Sequence, residues 1–161
     1  MAEITPLEKF KKAVDLVKSK GLNFDVEIPA SPDDVAALEM WAKHEMPPSY
    51  RSALEMLGIP MLGGLHINGI GKSGAFTEGG SGVWFQTRMA REEGLISKNM
   101  LLIAESGYGP MFALDFETTG TGGEPVVRIV GLSGFKEDSE IEAQSFGDFF
   151  LKGISEIVAA S

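Results

Sequence analysis

Leu101-Leu102-Ile103-Ala104-Glu105-Ser106-Gly107-Tyr108-Gly109-Pro110-Met111-Phe112-Ala113-Leu114-Asp115-Phe116 opens the stretch that decides the fold, which continues to Val130. Met100 to Ala104 is a short, unbroken apolar run. It suits a strand buried on both faces, although periodicity alone leaves a short buried helix open. Two glycines and Pro110 follow. Glycine tolerates positive φ, and a proline with no N–H to donate sits best at a strand start. From Met111 the residues alternate: Phe112, Leu114 and Phe116 share one face, and Met111, Ala113 and Asp115 the other. Glu117 to Gly123 is a glycine and threonine loop. Pro125-Val126-Val127-Arg128-Ile129-Val130 is β-branched and short, a third strand. Short connections between consecutive strands favour antiparallel pairing, so the expectation is a meander.

The flanking segments read as its cover. Thr5-Pro6-Leu7-Glu8 starts a helix over 5–20 with a capping box and a proline in the first turn. Leu7, Phe10, Val14 and Val17 mark its inner face, and Gly21 stops it. Leu22, Phe24, Val26 and Ile28 alternate with polar residues, as a strand or an extended segment would. Ser31-Pro32-Asp33-Asp34 opens a second helix, capped by Ser31 and carrying two carboxylates at its positive end. A third, short helix places Tyr50, Ala53, Leu54 and Leu57 inward. The glycine-rich stretch 61–82 offers one or two short strands, and Val83 to Glu93 returns to helical spacing. Lys136 to Glu142 reads as an acidic polar linker. Ser145 caps a last helix with an apolar stripe of Phe146, Phe149, Phe150, Ile154, Ile157 and Val158.

The chain has 161 residues, so the expectation is a single domain over 1–161, with the helix over 5–20 as an extension. Its 43% hydrophobic and 23% charged residues fit a soluble globular protein, and no apolar run is long enough to span a bilayer. With no cysteine, disulfides and thiolate metal sites are excluded. The N-terminus lacks the pattern of a signal peptide, which points to the cytoplasm. A formal charge of −9 argues against direct nucleic-acid binding and suits either a basic protein partner or plain solubility.

Motifs for chemistry are weak. Gly69-Ile70-Gly71-Lys72-Ser73-Gly74 matches G-x-G-x-x-G and ends like a P-loop. A phosphate cradle needs a helix directly afterwards, and Thr77-Glu78-Gly79-Gly80-Ser81-Gly82 cannot supply one. A small-ligand or nucleotide enzyme using Gly69–Gly74 is the alternative reading. His44 and His66 are the only histidines and are far apart, so a zinc site is not expected. Ser73, Ser81, Ser106 and Ser133 lack a nucleophile elbow. Glu105 and Asp115 flank the central turn and could act as an acid–base pair; the simpler reading has both facing solvent at strand ends. No catalytic residue, cofactor or metal ligand is assigned.

Three segments carry a resemblance. The first is Ser31-Pro32-Asp33-Asp34-Val35, Leu38-Glu39 and Met46-Pro47-Pro48-Ser49-Tyr50-Arg51 with Leu54. The second is Leu102-Ile103-Ala104-Glu105-Ser106-Gly107-Tyr108-Gly109, Phe112, Leu114-Asp115 and Gly123-Glu124-Pro125-Val126-Val127. The third is Ser145-Phe146 with Phe149-Phe150-Leu151. Together, from Ser31 to Leu151, they resemble the SUKH superfamily, which includes the yeast cell-wall-assembly regulator and many bacterial relatives. Met46 stands where the family usually has leucine, and Asn68-Gly69 comes later than the family's Asn-Gly pair. The resemblance implies an α+β fold, with helices against a central, mainly antiparallel sheet. It also implies a protein-binding module without catalysis, in many relatives an immunity protein that neutralises a toxin, frequently a nuclease. Charge alone nominates Glu137, Asp138, Glu140 and Glu142 as the surface for a basic toxin domain.

Overall fold

A computed structural model describes residues 4–25, 27–105, 110–131 and 140–161. The chain is α+β. In order it runs α1 (Pro6–Ser19), α2 (Pro32–Ala42), α3 (Pro48–Leu57), β1 (Met61–Leu62), β2 (Leu65–His66), α4 (Val83–Glu92), β3 (Met100–Glu105), β4 (Met111–Thr119), β5 (Pro125–Val130), β6 (Ile141–Ala143) and α5 (Phe146–Ala160). The expected meander is present: the four-stranded sheet has the order β3-β4-β5-β6, and each neighbouring pair is antiparallel. β6 is an addition, because Ile141–Ala143 falls in the stretch expected to be a linker. Three residues with a glutamate at the centre are too short and polar to read as a strand. Their pairing comes from β5, through Val127 opposite Ala143.

Alternation sorts the sheet into two faces. Leu101, Ile103, Leu114 and Val127 enter the main core with α1, α2, α3 and α5. Leu102, Ala113 and Val130 join Ala90 of α4 and Ile96 in a smaller core on the other face. The main core centres on aromatic rings. Phe10 of α1 lies 5.3 Å from Phe150, Phe146 lies 5.6 Å from Phe150, and Tyr50 meets Phe146 edge to face at 5.0 Å. α1 is therefore built into this core, with Phe10, Ala13, Val14 and Val17 all buried. Its start has the expected capping box, and Ser31 and Ser145 cap α2 and α5 through the backbone N–H of Asp34 and Asp148. Among the described residues no helix is long and apolar enough to cross a membrane.

Residues 22–25 and 27–28 take the extended alternative rather than a strand; Val26 lies outside the described residues. Their backbone bonds go to the start of β1 and the end of α3: Asp25 N–H to Met61 O at 2.9 Å and Ile28 N–H to Leu57 O at 3.1 Å. The alternation still has a use, since Phe24 is buried and stacks on Phe150 at 6.1 Å.

β3 lies at one side of the sheet, where an unpaired edge invites a foreign strand. Two side chains and a backbone N–H bond to this edge. Thr87 Oγ1 of α4 accepts from Leu102 N–H at 3.0 Å, and Asn68 donates to Leu102 O from Nδ2 at 3.0 Å and to Ile103 O from its N–H at 2.7 Å. Asn68 is held in turn by Tyr50, whose hydroxyl donates to Asn68 O at 2.6 Å. Tyr50 is fully buried, which pushes its phenol well above the usual range. Tyr50→Phe removes one buried hydrogen bond and little volume. The expected cost is about 1–2 kcal/mol, read as a lower urea midpoint with an unchanged m-value.

Candidate functional site

The glycine run at 69–74 is a packing device. The backbone at Gly69 lies so close to the α3 terminus that a Cβ there would sit 1.8 Å from Gly58 O. Four N–H groups in or beside the run have internal partners. Gly69 N–H donates to Ser81 O, Ile70 N–H to Gly58 O, Gly74 N–H to Gly71 O, and Ala75 N–H to the Asp34 carboxylate. α4 begins only at Val83, whose N–H donates to Gly69 O at 2.8 Å, so no helix starts directly after the run.

The acid pair considered at the central turn is not assembled. Glu105 is exposed and pairs with Met111 at one end of the β3–β4 ladder, while Asp115 pairs with Met100 at the other. Asp115 does not face solvent as expected: it is only 5% exposed. Its carboxylate accepts from Arg128 Nε at 2.7 Å, Thr118 Oγ1 at 2.9 Å and Glu117 N–H at 3.0 Å. Arg128, diagonally across on β5 opposite Ala113, draws it in, a contact that strand alternation alone does not reveal. The histidines have separate partners. His44 stacks on Phe116 at 4.4 Å with Nε2 3.2 Å from Asn99 Oδ1, and His66 Nε2 lies 3.2 Å from Gly63 O. Among the described residues no three His, Asp or Glu side chains group as metal ligands.

One concave feature among the described residues is acidic. A groove of about 270 Å³ runs between the β1–β2 hairpin, β3, β4, β6 and α5. Its buried floor includes Ala104 and Phe149, and Phe149 lies 5.0 Å from Phe112. Glu105 and Glu156, both exposed, and half-buried Glu142 supply its carboxylates. Lys152 of α5 lines the same groove, with Nζ 3.5 Å from Glu142 Oε1. Glu105 also borders two adjoining hollows, one with Asn68 and Gln86, the other with Phe85, Met89 and Met111. Of the four nominated acids, Glu142 lines this groove and Glu140 is exposed just before β6; Glu137 and Asp138 lie outside the described residues. Glu105, Glu156 and Lys152 have no local sequence signal tying them to these acids, because they come from separate elements.

A second surface is aromatic. Trp41 of α2 and Trp84 of α4 meet edge to face at 6.5 Å, and Phe76, 48% exposed, lies 5.4 Å from Trp84. Arg88 covers the Trp84 ring at 4.4 Å and Arg91 the Trp41 ring at 4.7 Å. Partial burial lowers the pKa of Arg91, which donates to Lys98 O at 2.8 Å and Met100 O at 3.1 Å.

One further carboxylate is structural. Glu124, 5% exposed, lies in the loop before β5. It accepts from Ser49 N–H at 3.0 Å and Ser49 Oγ at 2.5 Å, while Gly147 N–H donates to Ser49 Oγ at 3.0 Å. It thereby serves the first turns of both α3 and α5. α3 needs this, since its N-cap is Pro47 and has no side-chain cap. Burial raises the Glu124 pKa above the ordinary carboxylate range, opposed by the two Ser49 bonds and reinforced by Asp148.

A search of curated proteins gives no match. The model of the SMI1 / KNR4 family (SUKH-1) matches residues 29–152, well over half of the chain. With the antiparallel meander, its helical cover and this match in agreement, the chain belongs to the SMI1 / KNR4 family (SUKH-1).

Proposed function

We propose that this chain is a non-enzymatic protein-binding module that acts in the cytoplasm as an immunity protein, holding a basic toxin domain of nuclease type inactive. The observation that carries the reading is the convergence of Glu105, Glu142 and Glu156 on one groove in a chain of net charge −9. A nuclease must carry a basic surface to hold phosphate, and an acidic inhibitor complements that surface. Membership of the SUKH-1 family supports a module of this type. The contact surface we propose extends from the groove to the acids leading into β6: Glu137, Asp138, Glu140 and Glu142.

The test uses a toxin domain encoded beside this chain, with association followed by stopped flow at low and high salt. Replacing Glu137, Asp138, Glu140 and Glu142 together by lysine is expected to slow association about tenfold at low salt and to flatten the salt dependence. An unchanged on-rate removes these four residues from the contact. A toxin that is neither bound nor inhibited by the unaltered chain removes the immunity role.

A further inference from the structure

We infer that the groove is a socket for one long cationic side chain, arginine or lysine, presented by the partner; this rests on the protein-binding reading above. The chemistry of the lining fits such a chain from stem to tip. Leu65, Ala104, Phe112 and Phe149 offer apolar surface for the methylenes. Phe112, half-buried, presents a ring edge or face to a cation. Glu105, Glu142 and Glu156 supply carboxylates for the charged head, against one lysine and a histidine among the lining residues. A volume of about 270 Å³ accommodates a single side chain rather than a folded element.

The protein already places an ammonium here. Lys152 Nζ lies 3.5 Å from Glu142 Oε1, and the Lys152 side chain is mostly exposed. It is a loosely held internal cation that an incoming one displaces. Lys152 therefore weakens binding of the partner's side chain, while Glu105 and Glu156, for which no ion pair is found among the described residues, strengthen it. Removing a cation from the site is thus expected to improve its capture of a cation.

The probe is N-acetyl-arginine amide, with N-acetyl-citrulline amide as the neutral isostere, titrated into the full-length, ¹⁵N-labelled chain. Arginine is expected to shift the amide signals of Gly64, Leu65, Glu105 and Gly153, and citrulline to leave them in place. Glu105→Gln with Glu156→Gln is expected to weaken arginine binding about threefold to fivefold, and Lys152→Ala to tighten it about threefold. Equal shifts with citrulline, shifts confined to other surfaces, or weaker binding by Lys152→Ala would overturn the socket. The two readings fail separately. A toxin complex whose affinity is unchanged by the Glu105 and Glu156 substitutions removes the socket and leaves partner binding standing. Absence of any toxin complex removes partner binding, and the arginine titration still decides the socket.

Discussion

Gly69→Ala is expected to lower the unfolding free energy by about 3 kcal/mol or more, the upper end of what overpacking costs. The reason is contact with backbone. A Cβ at this position would meet Gly58 O at 1.8 Å and Gly58 C at 2.9 Å, and a main-chain carbonyl cannot turn aside as a side-chain tip can. Gly58 is itself wedged: its φ is +74°, and a Cβ there would lie 2.0 Å from Ile28 O. The two glycines let three segments meet, namely the α3 terminus, the extended residues before α2 and the loop that follows Asn68. Relaxation at Gly69 would strain the Ile70 N–H to Gly58 O bond of 3.0 Å and disturb the seal on β3. Gly64→Ala is the control. Nothing lies within 4 Å of a Cβ there and its φ is not positive, so the expected change is within about 1 kcal/mol and can be stabilising. Urea unfolding of both variants checks this. A Gly69→Ala variant as stable as the parent would make the tight approach false and reopen the glycine run as a ligand loop.

The second large effect concerns Glu124. Glu124→Ala should cost about 3–4 kcal/mol, since it removes two hydrogen bonds to a buried carboxylate and leaves Ser49 N–H without its acceptor. In a chain of this size that lowers Tm by about 10 °C. Glu124→Gln should behave differently. The amide can accept from Ser49 N–H and has no charge to bury, so its cost at neutral pH is expected within about 1 kcal/mol. The pH dependence has a definite sign. The folded-state pKa of Glu124 lies above its unfolded value, so the folded form holds the proton more tightly. Stability then falls as pH rises from the ordinary carboxylate range through the raised folded value, and levels off above it. The stability of the parent relative to Glu124→Gln should therefore decline over that window and be flat beyond. Denaturation of both proteins across the acid-to-neutral range checks this; a difference that grows in the parent's favour with pH would reverse the assignment.

The contrast between Glu124 and the helices shows what the linear sequence can carry. Period-two alternation in Met111–Phe116 and caps such as Thr5, Ser31 and Ser145 are local signals, read within a few residues. The strands and helix starts they announce are present. Glu124 sits among glycines and threonines, where an acid looks solvated. Its partner Ser49 is 75 positions away, and only the closed fold brings them together. Asp115 escapes local reading for the same reason, because Arg128 lies on the next strand. The groove is harder still: Glu105, Glu142 and Glu156 come from β3, β6 and α5, and the sheet order is what collects them. Charge counting could reach Glu142, but not the apolar floor beneath it.

Trp41 and Trp84 are the chain's two tryptophans and sit in one cluster, each beneath an arginine; neither lines the groove. Intrinsic ultraviolet emission is thus a private channel for the junction of α2 with α4. A ligand seated between β6 and α5 should leave its wavelength unchanged, whereas a blue shift on complex formation would locate the contact on the indole side. The molecule arrives with its own two-sided optical label, and no dye is needed to learn which side has been covered.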